Sequence, residues 1–278
     1  MQCTAVLGED RERVKLAKVS ESKKFTGTPG QLRRQRIEQS GAIVISLLMS
    51  VWMLANLIKA PEQFVQVAIS GLRNGLIYAL IALGYTLVYG IIELINFAHG
   101  DLFMLSAVFS SFFITYWIGA DQSNPKGWLA FASCLVAVMI FGAVVNVLIE
   151  RLAYRRLRNA PRLAPLITAV GMSFLLNFIG LKWNGSTPRQ WPTVIPSGDI
   201  YIGEIRISLI TLWLFLIGLP LLLALNYLVT NTKQGKARRA TSQDKDASTL
   251  MGINVNKTIA FTFALGGAMA GAAGLLYQ

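Results

Sequence analysis

Seven runs of mainly apolar residues divide this 278-residue chain, and each is long enough to cross a lipid bilayer as a helix. A helix rises about 1.5 Å per residue, so about 20 residues cross a hydrocarbon layer about 30 Å thick. Only helices and closed barrels satisfy their backbone groups inside lipid, and runs of this length indicate helices. The sequence therefore predicts an all-α, polytopic membrane helix bundle with about seven transmembrane helices. The predicted spans are 42–58, 74–92, 102–119, 128–150, 163–182, 209–229 and 256–277.

The charged residues between these runs predict the orientation of the chain. Residues 1–40 contain nine Lys and Arg against five acids, 151–162 contain five Arg and no acid, and 231–257 contain six bases against two acids. Basic segments concentrate on the cytoplasmic side of membranes. Seven crossings put all three segments on one side, so we expect the N-terminus to be cytoplasmic. The predicted outer connections are 59–63, 120–127 and 183–208.

The formal net charge of +12 does not indicate nucleic-acid binding in this chain. Hydrophobic residues make up 54% of the sequence and charged residues only 14%, which is typical of an integral membrane protein. Membrane orientation and attraction to anionic lipid head groups explain much of the basic excess. We therefore expect membrane lipid, and no nucleic acid, to contact the basic segments.

Both ends of the chain and the segment before the second span are unusual. Residues 1–40 form a predicted polar cytoplasmic tail, and 42–58 is predicted to remain as an anchor because Pro61 makes a poor cleavage site. Polar and apolar residues mix at helical spacing in 61–74, which predicts a helix lying flat at the membrane surface. The chain stops at Gln278 directly after the last span, so we expect it to be C-terminally incomplete.

The sequence INFAHGD (95–101) places polar residues between the second and third spans, among them His99, the only histidine of the chain. In one interpretation it forms a tight turn, in which Gly100 adopts a conformation that other residues resist and Asp101 caps the next helix. In the other, the helix is interrupted at membrane depth and lines a substrate path. The predicted path residues are Asn96, Phe97, His99 and Asp101. The residues alone leave both interpretations open.

Neither a metal site nor an enzyme active site is predicted. A single imidazole lacks the three or four ligands that a metal usually has, and Cys3 and Cys134 have no disulfide or metal spacing. The polar residues of the spans do not pair a nucleophile with a base. We therefore expect no catalytic residue, no metal and no cofactor in this chain.

A second unusual segment, ARRATSQDKDASTLMGINVNKT (237–258), predicts a short helix over about 241–251. Ser242 is the predicted N-cap, Asp244 in the first turn complements the helix dipole, and Gly252 is the predicted left-handed C-cap. The apolar stripe on one face consists of Ala240, Ala247, Leu250 and Met251. Periodicity alone favours equally a helix resting on lipid and a helix docking into a groove of a cytoplasmic protein.

Three segments of the chain resemble the membrane permeases of ABC importers of the high-affinity branched-chain amino acid family. They are NGLIYALIALGYTLVYGIIELINFAHGDLFML (74–105), IERLAYRRLRNAPRLAPLITAVGMSFLLN (149–177) and GKARRATSQDKDASTLMGINVNKTIAFTFALGGAMAGAAG (235–274). The resemblance covers most of the chain from about residue 64 and implies that 41–278 form a transmembrane permease domain in a bacterial inner membrane. It also implies a pore subunit that works with ABC ATPase subunits, a second homologous permease and an extracytoplasmic substrate-binding protein. No phosphate-binding Gly-x-x-x-x-Gly-Lys loop occurs in the chain, which agrees with an ATPase on separate subunits.

The third of these segments also resembles the coupling loop of ABC importer permeases. The family pattern is an acidic residue and two alanines followed by a glycine, and here it reads Asp246, Ala247 and Ser248, then Gly252. The resemblance therefore favours docking onto an ATPase subunit over resting on lipid. The residues it assigns to coupling are Ala240, Asp244, Asp246, Ala247, Leu250, Met251 and Gly252.

The resemblance implies branched-chain or other apolar amino acids as substrates, whereas close relatives in the same family carry urea and short amides. Phe97 beside Asn96 slightly favours an amino acid. A secondary transporter or channel is a further alternative, and it would more naturally carry acidic residues within its spans for ion coupling. Apart from Glu93 and Asp101 near one boundary, we interpret the spans as lacking them. The tail and span before residue 60, and the early end of the chain, depart from the family pattern.

Overall fold

The computed structural model describes residues 29–119, 127–157, 160–161, 163–185, 198–202 and 205–278. Most of the predicted polar tail, residues 1–28, lies outside the described residues. The same holds for 120–126 and 186–197 of two predicted outer connections and for residues 158, 159 and 162 of the basic linker.

The chain divides into two compact units, residues 1–64 and 65–278. The first contains helix α1 (Pro29–Lys59), of which Ser40–Lys59 is long and apolar enough to cross a membrane. The large apolar side chains between Ile43 and Ile58 are exposed, as expected for a helix surrounded by lipid. The next helix begins at Pro61, because proline suits the first helical position, where its missing N–H would have no partner.

Seven helices of the described residues are long and apolar enough to cross a membrane, which confirms the predicted polytopic bundle. The elements after α1 are α2 (Pro61–Ile92), α3 (Ala98–Phe112) with a π-helical end (Phe113–Ile118), α4 (Trp128–Ile149) with a π-helical turn (Glu150–Tyr154) and a 3-10 turn (Arg155–Leu157), α5 (Leu163–Asn184), β1 (Asp199–Ile202), β2 (Ile205–Ser208), α6 (Leu209–Asn231), α7 (Lys233–Gln243), α8 (Lys245–Leu250) and α9 (Val255–Tyr277). The predicted spans match these helices closely, with one exception.

The exception is the segment 61–74, which was predicted to be a separate helix lying flat on the membrane. That prediction is wrong, because α2 continues without interruption from Pro61 to Ile92. Gly71 and Gly75 lie within this helix and do not break it, since glycine lowers helix stability by only about 1 kcal/mol and no proline follows. At about 1.5 Å per residue, α2 is longer than a single crossing requires.

Helix α9 lies at the centre of the second unit, because its small residues let neighbouring helices approach closely. A Cβ atom on Gly267 would lie 2.2 Å from the carbonyl oxygen of Gly142 on α4, and one on Gly271 would lie 2.5 Å from the α4 backbone. Gly266 approaches Gly84 of α2 in the same way, at 2.8 Å. Gly267 and Gly271 are therefore points of close contact between helices.

A short antiparallel hairpin of β1 and β2 is the one departure from helix among the described elements. It precedes α6, and Arg206 pairs with Asp199 across it at 2.6 Å. The hydrogen bond to Asp199 and its negative charge raise the pKa of Arg206. Because this ion pair is exposed, it orders the hairpin locally and says little about the stability of the bundle.

Candidate functional site

Residues 93–97 separate α2 from α3, and together with the first turn of α3 (98–101) they are here called the junction. Glu93 has a φ of 56°, a left-handed conformation that ends α2. Helix α3 then begins after Phe97 without any side-chain cap. The details of the tight-turn interpretation are wrong, because Gly100 has an ordinary helical conformation and Asp101 lies in the first turn without capping it.

His99 lies inside the bundle, with only 2% of its surface exposed. Its Nε2 atom would be 3.3 Å from a Cβ placed on Gly84, and its ring meets the ring of Tyr85 edge-on at 6.0 Å. Gly84 precedes the end of α2 at Ile92 by eight residues, which is about 12 Å along a helix axis. His99 thus contacts α2 well before the end of that helix, so the chain turns back along α2 after Ile92. Helix α3 therefore begins within the bundle.

Polar atoms around the junction are buried, and several of them have no hydrogen-bond partner among the residues that the structure describes. Neither ring nitrogen of His99 makes a hydrogen bond of ordinary geometry among the described residues, although the Ile81 carbonyl lies near the ring. Asn96 is also 2% exposed; its Oδ1 accepts a hydrogen bond from Tyr154 Oη at 3.2 Å, but its Nδ2 has no partner in the part of the chain that the structure describes. An unsatisfied buried polar group costs about 1–3 kcal/mol. Such groups indicate a place where water or a polar ligand binds.

The other two predicted path residues have different surroundings. Phe97 is 46% exposed, in contrast to the buried Asn96 and His99. Asp101 is half-buried and accepts a short hydrogen bond from Ser173 Oγ, which ties α3 to α5. The structure therefore brings Asn96 and His99 into one buried region and places Phe97 and Asp101 at its edges.

Two buried polar residues of α4 and its extension were missed. Asn146 is fully buried and donates from Nδ2 to the Phe263 carbonyl of α9 at 2.7 Å. Glu150 is also buried, in the π-helical turn, so the interpretation that the spans lack acids apart from Glu93 and Asp101 is wrong. The spacing of four between Asn146 and Glu150 places them on one helix face and was an available signal. Among the described residues, no three His, Cys, Asp or Glu side chains are grouped as metal ligands.

Residues 232–254, here called the connector, join α6 to α9 through α7 and α8. Thr232 caps α7 by accepting a hydrogen bond from the Gly235 N–H at 3.1 Å. Arg239 donates to the last carbonyls of α6, those of Val229 at 2.7 Å and Thr230 at 3.2 Å. These contacts fold α7 back against the end of α6.

Helix α8 is short and has satisfied backbone groups at both ends. Asp244 is its N-cap, and Oδ1 accepts from the N–H groups of Asp246 at 2.8 Å and Ala247 at 3.0 Å. At the other end the N–H groups of Gly252 and Ile253 donate to the carbonyls of Thr249 and Ser248, both at 3.0 Å, which is a Schellman motif. Gly252 has a φ of 80°, so its predicted left-handed conformation is confirmed.

Three details of the predicted short helix are wrong. The segment 241–251 is divided between α7 and α8 at Asp244. Ser242 does not cap the helix, because its hydroxyl donates to the Arg239 carbonyl within α7. Ala240 is half-buried on α7 and does not belong to the α8 surface.

The remaining residues of the stripe form an exposed apolar surface on α8. Leu250 is 89% exposed and Met251 is 83% exposed, and Ala247 beside them is also exposed. Ser248 faces inward and donates to the Asp244 carbonyl at 2.7 Å. Large apolar side chains held outward by a well-capped helix indicate a contact with lipid or with a partner.

Comparison with known proteins identifies the family of the chain. Residues 67–278 match the model of the family described as branched-chain amino acid transport system / permease component. No solved structure gives a significant match.

Three named relatives support this assignment. The chain is 37% identical over 225 residues to the high-affinity branched-chain amino acid transport system permease protein BraD of Pseudomonas aeruginosa, covering 78% of this chain and 72% of the relative. It is 37% identical over 222 residues to the corresponding protein LivH of Escherichia coli, covering 77% and 70%. It is 31% identical over 220 residues to a probable branched-chain amino acid transport permease of Methanocaldococcus jannaschii, covering 73% and 64%. The chain therefore belongs to the family of branched-chain amino acid transport system permease components.

Proposed function

We propose that this chain is the pore-forming permease subunit of an ABC importer in a bacterial inner membrane, where residues 41–278 form the permease domain. It translocates branched-chain or other apolar amino acids, driven by ATP hydrolysis on separate subunits. The names of the relatives, which specify branched-chain amino acid transport, support the substrate class. Its partners are ABC ATPase subunits, a second homologous permease and an extracytoplasmic substrate-binding protein.

The exposed apolar surface of α8 is the observation that carries this proposal. Helix α8 lies between two membrane spans, and Leu250 and Met251 project from a helix whose own hydrogen bonds are satisfied. Such a surface fits an apolar groove of an ATPase subunit, and charged side chains beside it set the orientation of docking. The residues assigned to coupling are Asp244, Asp246, Ala247, Leu250, Met251 and Gly252, whereas Ala240 supports them from α7.

The positions of basic side chains support the proposed orientation of the chain. The end that carries the junction and the connector also carries exposed basic side chains, among them Arg155, Arg156 and Lys245. Basic segments remain in the cytoplasm, so this end and the N-terminus are cytoplasmic and the hairpin is outside. Cysteines introduced at Arg156 and Lys245 should resist a membrane-impermeant thiol reagent in intact cells, whereas one at Gly198 should react. The opposite pattern would reverse the orientation.

The junction is the proposed substrate path. Asn96 and His99 supply polar atoms at membrane depth for the polar groups of an amino acid, and Phe97 supplies an apolar surface for its side chain. Asp101 holds α3 against α5 and so positions the path from outside it. When ATP closes the partner subunits, α8 moves as a rigid body and transmits the motion to α6 and α9.

The test is purification of the native complex followed by transport in reconstituted membranes. The chain, tagged in its native source, should co-purify with ATPase subunits, and vesicles containing the complex should take up leucine only with ATP and the loaded binding protein. Urea and short amides serve as competing substrates in the same assay. Uptake of urea but not leucine would show that the substrate class is urea and short amides, not apolar amino acids. ATP-independent uptake by the chain alone would overturn the ABC assignment.

A further inference from the structure

Arg238 of α7 is inserted against the end of α2. Its Nη2 atom donates to the carbonyl oxygen of Leu87 at 3.0 Å, although the two residues are 151 positions apart in the sequence. Gly90, one turn further along α2, provides the necessary space, since a Cβ there would lie 3.1 Å from Nη2. The Nε atom of Arg238 is buried and has no hydrogen-bond partner among the described residues.

Burial of the charged Arg238 guanidinium is unfavourable, and its position at the carbonyl end of α2 offsets part of this. Burial, with a smaller contribution from Arg239, lowers the pKa of Arg238, but an arginine remains charged in proteins. The carbonyl end of a helix carries partial negative charge, and a cation at this end of α2 is therefore stabilised. A lysine or arginine that only sets membrane orientation remains solvated, whereas the Arg238 side chain is held in one position by its contact with α2.

The contact between Arg238 and Leu87 joins α7 to α2, which are far apart in the sequence. Arg239, the next residue, bonds only to the adjacent end of α6 in the described contacts. Arg238 instead reaches α2 five residues before α2 ends and the junction begins. Helix α7 is in turn fixed to α8 through Asp244, whose N–H donates to the Ala240 carbonyl at 3.1 Å and whose carbonyl accepts from Ser248.

We propose that Arg238 is a positioning residue that links the coupling helix α8 to the junction. Motion of α8 on its ATPase partner is transmitted through α7 and the Arg238 guanidinium to the end of α2, and the junction changes its exposure accordingly. This inference rests on the proposed function, because it takes α8 as the docking helix. It adds a second route of transmission besides the chain connections of α8, which lead through α7 to α6 and directly to α9.

The experiment measures exposure of the junction in the assembled complex. Cys3 and Cys134 are replaced by serine, Phe97→Cys supplies the reporter, and the rate of thiol labelling is compared without nucleotide and after trapping with ATP and vanadate. The starting complex should show a nucleotide-dependent change in labelling rate. In Arg238→Ala this change should be lost while the ATPase subunits are retained, and Arg238→Lys should restore part of it. The matched control Arg239→Ala should keep the change.

A second pair of variants changes α2 and leaves Arg238 in place. Gly90→Val should displace the guanidinium and abolish the response, whereas Gly75→Val, where a Cβ has open space within 4 Å, should not. Combining Gly90→Val with Arg238→Ala should have no more effect than either alone, because both remove one contact. A normal labelling response in Gly90→Val and in any Arg238→Ala protein that reaches the membrane overturns the inference. Leu250→Asp separates the two proposals, since it should lose the ATPase subunits, and their full retention would overturn the proposed function instead.

Discussion

The junction and the connector lie at the same end of the bundle, yet they depart from ordinary packing in opposite ways. At the junction, the side chains of Asn96 and His99 are buried with polar atoms that have no partner among the described residues. In the connector, the backbone of α8 is capped at both ends, and Leu250 and Met251 are left exposed. Around Asn96 and His99, polar groups lack partners among the described residues, whereas on α8 it is apolar groups that lack a cover. The unpartnered polar atoms of the connector, Arg238 Nε and Thr241 Oγ1, lie on α7 and not on α8.

This difference indicates two kinds of binding. Buried polar atoms are satisfied by something small enough to enter the bundle, such as water or the polar groups of a substrate. Exposed apolar side chains on a rigid helix are covered by a large surface. The comparison therefore separates the proposed path from the proposed docking surface by physical criteria, and substitutions in the two regions should fail in different assays.

The largest effect is expected from Leu250→Asp in the connector. A carboxylate in place of an apolar anchor would be desolvated without a partner at the interface, and loss of a central anchor costs about 2 kcal/mol or more, which is roughly thirtyfold in affinity. ATPase subunits should be lost on purification and uptake should fall to background, while the abundance of the chain in the membrane stays unchanged. The matched control is Thr249→Asp on the same helix, where the side chain is polar already. Full retention of the ATPase subunits in Leu250→Asp would make α8 a lipid-surface element.

The next largest effect is expected from His99→Ala at the junction. The substitution removes buried ring packing against Tyr85, but also two ring nitrogens that lack ordinary hydrogen bonds, so membrane abundance should fall less than uptake. If His99 binds the substrate, uptake should fall by about tenfold, equivalent to about 1.4 kcal/mol, with the ATPase subunits retained. Ser106→Ala is the control, because Ser106 is buried on the same helix but donates to its own helix at the Leu102 carbonyl. A parallel fall in abundance and uptake would assign His99 to structure alone.

The parts of this comparison that the sequence predicted are those that depend on local patterns. The lengths of the apolar runs predicted seven spans, and the left-handed Gly252 followed from its place after a short helix. Asp and Ser are both favourable N-cap residues, so the sequence pattern could not distinguish Asp244 from Ser242 as the cap of this helix. In the structure the Ser242 hydroxyl is used within α7, and Asp244 is free to cap α8.

The parts that the sequence did not predict depend on contacts between distant segments. Arg238 counted as one more basic residue of a cytoplasmic loop, and nothing near it in the sequence indicates a carbonyl acceptor on α2. Glu150 follows an apolar run directly and was grouped with its end, although it is buried. The buried position of His99 likewise depends on how the chain turns back along α2. The sequence of the five irregular residues between α2 and α3 does not by itself specify that direction.

A smaller effect is expected from Gly252→Val in the connector. A φ of 80° is unfavourable for a residue with a branched side chain, by about 1–2 kcal/mol, but the surroundings leave room for the Cβ. The strain should loosen α8 without removing its apolar surface, so ATP hydrolysis should continue with a several-fold lower uptake per ATP. Gly252→Asn, which tolerates the left-handed conformation, should behave nearly as the original chain. Equal impairment by both substitutions would mean that the side chain itself, rather than the conformation, disturbs docking.

The smallest effect is expected from Tyr154→Phe, which tests how firmly the junction holds its polar groups. The hydroxyl of Tyr154 donates to Asn96 Oδ1 at 3.2 Å, a long hydrogen bond between neutral groups worth about 0.5–1.5 kcal/mol. Because the ring of Tyr154 also packs against Phe263, abundance should be kept. A bond this long lies at the weak end of that range, so uptake should fall by only about two- to threefold.

Tyr85→Phe is the matched control for this last substitution, since Tyr85 meets His99 through its ring. It should transport normally. The connector holds α8 with several hydrogen bonds at each end, whereas this single long bond is the described side-chain contact of Asn96. If Tyr154→Phe reduces uptake as strongly as His99→Ala, Asn96 must be fixed in one orientation for transport. If it has no effect while Asn96→Ala does, Asn96 acts on the substrate without help from Tyr154, and the junction is then a site whose polar groups reorient as the substrate passes.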